Sequence, residues 1–191
     1  MRCPIFDLDG TLVDSDEALR SAFVALGVPA ETVTFGHVLA DECARLGISL
    51  DDYLDVYDAD LAQPFPGVTE LVARLDRWAV CSNKHPRSGR AELERLGWTP
   101  EVALFADAFA GAKELAPVLA ALGLDPSDAL FVGDTDHDRA AADAVGCPFV
   151  LAAWNPRTAA LPSDLVARHP LDVVDLLVSP AASGGGAGAD R

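Results

Sequence analysis

The apolar run Cys3-Pro4-Ile5-Phe6 leads straight into Asp7-Leu8-Asp9-Gly10-Thr11. A short apolar run that closes on two carboxylates and a glycine reads as a buried strand delivering acids to its C-terminal end. In an open α/β sheet, ligands bind at that edge. Asp7 and Asp9 are two residues apart, so extended backbone turns both toward one side. Gly10 allows the chain to bend sharply as it leaves the sheet. Two neighbouring carboxylates repel, and the arrangement is costly unless a cation or a proton offsets it. A lone Asp-Gly pair is ordinary turn chemistry, but here the pattern recurs.

The second instance is Ala129-Leu130-Phe131-Val132-Gly133-Asp134-Thr135-Asp136-His137-Asp138. Again an apolar run ends in a glycine and a group of acids. Asp134 and Asp138 are four apart, which suits a loop or one turn of helix. Two strands that each end in paired carboxylates point to a hard-cation site. Oxygen donors without a Cys or His cluster favour Mg²⁺ over Zn²⁺. Asp136 is accounted for as an acid at a helix N-terminus and is left outside the site.

Lysine usage gives an independent hint. The chain has two Lys against twelve Arg, and an ammonium is not interchangeable with a guanidinium. Lys113 stands between two expected strands, just ahead of the second acid cluster, and reads as functional. Lys84 follows Cys81-Ser82-Asn83 at the end of the apolar stretch Trp78-Ala79-Val80. Beside it, Ser82 is the better candidate.

Apolar strands alternate with amphipathic helices along most of the chain. Strands are expected near 3–7, 78–82, 129–133 and 148–152, with a weaker one near 103–110. Helices are expected near 67–76, 86–96, 114–123, 137–146 and 170–178. This alternation predicts an α/β fold, a Rossmann-like three-layer α/β/α core with a mostly parallel sheet. Residues 15–66 break it and read as a small α-helical cap with helices over Asp16–Leu26, Phe35–Leu46 and Ser49–Leu61, stopped at Gly27 and Gly47. The core then comprises 1–14 and 67–178. The Gly-rich stretch 179–191 is expected to be a disordered tail.

Bulk properties bound the function. The formal net charge of −16 argues against a nucleic-acid or anionic-membrane surface. Cys3, Cys43, Cys81 and Cys147 form no CxxC pair and lie mostly in apolar runs, as reduced core residues do. No apolar stretch is long enough to span a bilayer, and the first motif begins too early to follow a secretory leader. A cytoplasmic protein, monomeric or homodimeric, is expected.

The motifs resemble those of the haloacid dehalogenase superfamily, in its phosphatase branch. Asp7 to Ser15 resembles the first motif, Ser82-Asn83-Lys84 the second, Lys113 the third, and Gly133-Asp134 with Asp138 the fourth. Phe65-Pro66-Gly67-Val68 is similar to a segment of the phosphoglycolate-phosphatase-like subgroup at the return from cap to core. The resemblance implies a Mg²⁺-dependent phosphomonoester hydrolase acting on a small phosphorylated metabolite through an aspartyl-phosphate. Asp7 is then the nucleophile, which as a carboxylate needs no base. Asp9 protonates the leaving oxygen and later activates water. Lys113 holds Asp7 and the phosphate together, while Thr11, Ser82 and Asn83 serve the phosphate site. The metal is held by Asp7, the Asp134 side chain and the Asp9 carbonyl, with Asp138 completing or supporting that shell.

Dehalogenases of this kind lack a general acid at the position of Asp9, since a halide leaves without a proton. Asp9 therefore favours phosphate esters over haloacids. A phosphotransferase or mutase, or a non-catalytic phosphate-binding protein on the same scaffold, are the alternatives. Two features depart from the subgroup: the insert is short, and Glu114 follows Lys113 where a proline is common. His37, His85, His137, Arg45 and Asn155 are further candidates for the pocket, and Trp98 and Trp154 for packing.

Overall fold

The computed structural model describes residues 1–34, 38–158 and 162–178. The chain opens with β1 (Cys3–Phe6), a short β2 (Val13–Asp14), and three helices, α1 (Asp16–Ala25), α2 (Leu39–Leu46) and α3 (Leu50–Val56). A short β3 (Gln63–Pro64) pairs antiparallel with β2, and this ribbon closes the neck of the helical insert. Thereafter strand and helix alternate: α4 (Val68–Ala73), β4 (Ala79–Cys81), α5 (Pro86–Leu96), β5 (Val102–Leu104), α6 (Leu115–Leu122), β6 (Ala129–Gly133), α7 (Asp136–Asp143), β7 (Phe149–Ala152), β8 (Val166–Ala167) and α8 (Asp172–Val178).

Among the described residues, six strands form one sheet in the order β5-β4-β1-β6-β7-β8, all parallel. From β1 the chain winds outward through β4 and β5, then crosses back and winds the other way from β6. The reversal lies between β1 and β6, whose residues pair from Cys3–Ala129 to Phe6–Val132. At such a switch point the crossovers diverge and leave a crevice beyond the strand ends. Both acid motifs leave the sheet there.

Alternation along the strands divides the core. Phe6, Val80, Leu130 and Val132 face one layer with Val68 and Leu71 of α4 and Val173 and Leu177 of α8. Ile5, Cys81, Phe131 and Leu151 face the other, against Leu115, Val118 and Leu119 of α6 and Ala141 and Ala142 of α7. The helical insert has its own apolar cluster, with Phe23, Val33, Cys43, Tyr53 and Leu54 at its centre. All four cysteines are free and buried. Among the described residues no helix is long and apolar enough to cross a membrane.

Three local details differ from expectation. The strand expected near 103–110 stops at Leu104, because the Ala106 N–H is taken by the Lys84 carbonyl at 3.1 Å and the chain turns into a 3-10 segment. The third helix of the insert stops at Val56, and the Asp58 carboxylate caps a separate turn by accepting from the Asp60 N–H at 2.9 Å. Strand β8 was not anticipated. It is two residues long and pairs with β7 at the sheet edge, too short to carry a periodic signal. His37 and the expected tail at 179–191 lie outside the described residues.

Helix α5 contains a glycine whose usual cost is reversed by packing. A Cβ at Gly89 would lie 2.3 Å from the Phe105 ring, which is fully buried. Replacing a helical glycine by alanine ordinarily stabilises by about 1 kcal/mol. Gly89→Ala is expected instead to destabilise by about 1–3 kcal/mol through overpacking. Denaturant unfolding checks this, and a gain in stability would refute the packing account.

Candidate active site

The site begins with two close approaches that only glycine permits. Gly10 has φ +78, and a Cβ there would lie 2.3 Å from Asp134 Oδ2. A Cβ at Gly133 would lie 2.4 Å from Asp138 Cγ. Gly10 lets the loop after β1 close on the loop after β6, and Gly133 lets the start of α7 fold back on the end of β6, so that the carboxylates of Asp7, Asp134 and Asp138 lie within 4.8 Å of one another. All three residues are buried.

Lys113 makes this tolerable. Its ammonium lies 2.9 Å from Asp7 Oδ1 and 2.6 Å from Asp138 Oδ1, at 3% side-chain exposure. Burial opposes the charge on Lys113, and the carboxylates of Asp138 and Asp7 outweigh it, so its pKa stands above the ordinary lysine value. Asn83 orients the segment, its Oδ1 accepting from the Lys113 N–H at 2.6 Å. One ammonium does not balance three carboxylates. Burial, then repulsion from Asp7 and Asp138, push Asp134 up to about 8. Burial likewise raises Asp7 to about 6, with Lys113 opposing the rise.

The three acids are supported differently. Asp138 Oδ2 accepts from the Thr135 N–H at 2.9 Å, the Thr135 hydroxyl at 2.6 Å and the Asp134 N–H at 3.2 Å, within the capping box of α7. Both of its oxygens are thus engaged by protein. Asp134 Oδ1 receives the Thr11 hydroxyl at 3.3 Å and its Oδ2 the Asn155 amide at 3.2 Å. Asn155 also donates to the Gly10 carbonyl at 2.8 Å, and the Trp154 indole N–H to the Thr11 carbonyl at 2.9 Å. Both residues therefore brace the loop after β1, while Trp98 lies in the core.

Asp9 is held apart from this cluster. Its Oδ1 accepts from Lys84 Nζ at 2.6 Å, and Lys84 is also 2.9 Å from the fully buried Glu92. Burial opposes the Lys84 charge, but Asp9 and Glu92 raise its pKa well above the usual value. Both lysines of the chain are therefore buried ion-pair partners of first-motif aspartates. The sequence pattern ranks Lys84 below Ser82, and the scarcity of lysine is the signal that marks it. Glu92 and Tyr57, which touch it, carried no signal, since a glutamate in Ala91-Glu92-Leu93-Glu94 reads as a solvated helix face.

A cavity of about 320 Å³ opens over these groups. The sheet edge contributes Asp7, Asp9, Ser82, Asn83, Lys84 and Lys113, and the insert contributes Leu19, Phe23, Leu39, Tyr53 and Tyr57 to the opposite wall. Ser82 is buried with its hydroxyl accepting from the Lys84 N–H at 3.3 Å. His85 and His137 line the cavity, the former accepting at Nδ1 from the Arg87 N–H. Arg45 instead pairs with Glu42 at 2.6 Å. Arg157, not foreseen, reaches Asp16 at 3.0 Å on the rim.

A family model for haloacid dehalogenase-like hydrolases matches residues 4–152. An N-acetylmuramic acid 6-phosphate phosphatase of Pseudomonas aeruginosa is 29% identical over 93% of this chain and 95% of its own length. A phosphoglycolate phosphatase of Xanthomonas campestris pv. campestris is 31% identical over 82% of this chain and 85% of its own. Among solved structures, a haloacid dehalogenase-like hydrolase of Streptococcus pneumoniae superposes with a TM-score of 0.76 at 25% identity, over 92% of this chain and 98% of that one. With both acid clusters, both lysines and the helical insert inside the matched span, this chain belongs to the haloacid dehalogenase-like hydrolases.

Proposed function

We propose that this protein is a Mg²⁺-dependent phosphatase that cleaves a small phosphorylated metabolite through an aspartyl-phosphate on Asp7. The observation that carries the reading is the separation of Asp7 from Asp9. Two aspartates two residues apart line one cavity, one against Lys113 within an acid cluster, the other on Lys84 outside it. Carboxyls in contrasting environments are suited to different tasks. A halide needs no proton to leave, so a second carboxyl at this position favours an ester oxygen as leaving atom. The phosphatases among the relatives support the same reading.

The donor set suits a hard divalent cation. It offers oxygen alone, it is buried, and Asp7 Oδ1 meets no hydrogen-bond donor beyond the Lys113 ion pair among the described residues. Asp7 and Asp134 would hold Mg²⁺ with their carboxylates and Asp9 with its main-chain carbonyl. Asp138, engaged by Thr135 and Lys113, supports them from behind. When bound, the ion supplies counter-charge and polarises a phosphate oxygen.

The chain's own groups would then act in two steps. A carboxylate oxygen of Asp7 forms a bond to phosphorus as the ester P–O bond breaks, and Asp9, carrying on Oδ2 a proton taken up with the substrate while Oδ1 stays on Lys84, gives that proton to the departing oxygen. Lys113 and the Ser82 hydroxyl steady the charge on the transferring group. Asp9, now a carboxylate, takes a proton from water as that water attacks phosphorus. Phosphate leaves and Asp7 is regenerated. Residues 15–66 would serve as a cap that keeps bulk water from the site.

The test is phosphate release from a panel of phosphomonoesters with Mg²⁺ or EDTA. Release is expected only with the metal, and Asp7→Asn is expected to lower kcat by at least about a thousandfold. Release that survives EDTA, or full activity in Asp7→Asn, would sink the reading. Transfer of the phosphoryl group to a second hydroxyl without free phosphate would instead identify a phosphotransferase.

The raised carboxyl values give a pH prediction. Asp134, near 8 when folded, lies above its unfolded value, so the native metal-free protein holds the extra proton in that interval. Its stability therefore falls as pH rises toward 8. Mg²⁺ binds the deprotonated form, so its stabilising effect must grow with pH. The rise in Tm on adding millimolar Mg²⁺ is expected to be larger at pH 8 than at pH 6. An equal or smaller rise at pH 8 would contradict the assignment of Asp134 to the metal.

A further inference from the structure

Glu92 is fully buried on α5, where a carboxylate is rarely found without a partner. Its Oε1 lies 2.9 Å from Lys84 Nζ and also receives the hydroxyl of Tyr57. Lys84 in turn donates to Asp9 Oδ1 at 2.6 Å and to the Tyr57 hydroxyl oxygen at 3.1 Å. Two of the three N–H bonds of the ammonium are thus taken by Asp9 and Tyr57, and the Glu92 carboxylate pairs with its charge. A lysine head on its flexible stem has many orientations open to it; two fixed acceptors and a buried counter-ion restrict it. Asp9 Oδ1 is tethered by that ammonium, while its Oδ2 has no donor among the described residues and the residue lines the cavity.

These three partners come from different parts of the molecule. Asp9 follows β1, Glu92 belongs to α5, and Tyr57 ends α3 in the helical insert. The insert therefore supplies one of the contacts that orient the group holding Asp9. Withdrawal of the insert would take an acceptor from Lys84 and a donor from Glu92 together. The neighbouring tie between insert and α5, Arg87 to Asp55 at 3.1 Å, is exposed on both sides, and solvent leaves such a pair little orienting power.

We propose that Tyr57 and Glu92 are positioning residues that lock Lys84, and through it the Asp9 carboxyl, when the helical insert is seated over the cavity. The proposal rests on the phosphatase reading above, in which Asp9 protonates the leaving oxygen. It deepens that reading by joining seating of the insert to placement of the acid.

The position of Asp9 matters most where the leaving oxygen needs a proton. An alkoxide does; p-nitrophenolate leaves readily without one. The experiment compares kcat/KM of the wild type, Tyr57→Phe and Glu92→Gln on the fastest alkyl phosphate of the panel and on p-nitrophenyl phosphate. This parameter reports steps up to the first phosphoryl transfer, and so omits the later step in which Asp9 acts as base. Both variants are expected to lose about tenfold or more on the alkyl ester and less than about twofold on the nitrophenyl ester. Tyr57→Phe removes a single oxygen, its Tm is expected to stay near that of the wild type, and it decides the matter if Glu92→Gln does not fold. Equal losses on both esters, or no loss on either, overturn the proposal and leave the phosphatase reading standing. A wild type that releases phosphate from neither ester overturns both.

Discussion

The buried ammonium of Lys113 is the counter-charge that allows three carboxylates to share one sheet edge. Without it, Asp7, Asp134 and Asp138 would face one another within 4.8 Å in a buried site. An unpaired buried charge of this kind typically costs about 3–5 kcal/mol. The ammonium meets Asp7, just after β1, and Asp138, in the first turn of α7 that follows β6, and so clasps the two halves of the sheet at the point where winding reverses. The glycines at 10 and 133 serve the same closure by removing the Cβ atoms that would obstruct it.

One lysine is not sufficient for three acids, and the remainder is informative. The upward shifts of Asp7 and Asp134 arise first from burial, and record an electrostatic demand for further positive charge. A fold selected only for stability would replace such a cluster by apolar groups of similar volume. Retaining it, beneath a cavity of about 320 Å³, is what a cation-assisted reaction on an anionic substrate requires. The second lysine is placed differently: Lys84 pairs with Asp9 and Glu92 and donates to the Tyr57 hydroxyl, so that besides balancing charge it orients Asp9.

Much of this was legible in the sequence because it is local. The two acid-terminated apolar runs specify β1 and β6, and the alternation of strands and helices specifies a parallel sheet covered on both faces. The position of Lys113 could be read from its rarity and its place between strands. What escaped was non-local or short. Glu92 lies eight residues beyond Lys84 and Tyr57 lies in the insert, and nothing in their neighbours announces that they meet. Strand β8 exists because β7 offers it a ladder edge, which no pattern within Val166–Ala167 encodes. Phe105 turns inward onto Gly89 rather than continuing β5, a consequence of helix packing rather than of strand propensity. Asn155 and Trp154 were read as lining and packing residues, and their bonds to the loop after β1 emerge only from the fold.

The account turns on a covalent bond between phosphorus and Asp7, so the most direct measurement is of that bond. Asp9→Asn should slow the water step while leaving Asp7 able to attack an ester with a good leaving group. Rapid acid quench of this variant with p-nitrophenyl phosphate and Mg²⁺, followed by mass spectrometry of the peptides, tests it. The account predicts a phosphoryl group on the peptide that contains Asp7, absent when Asp7 is also replaced by Asn. Turnover with no phosphorylated peptide, or a phosphoryl group on another residue, would contradict it.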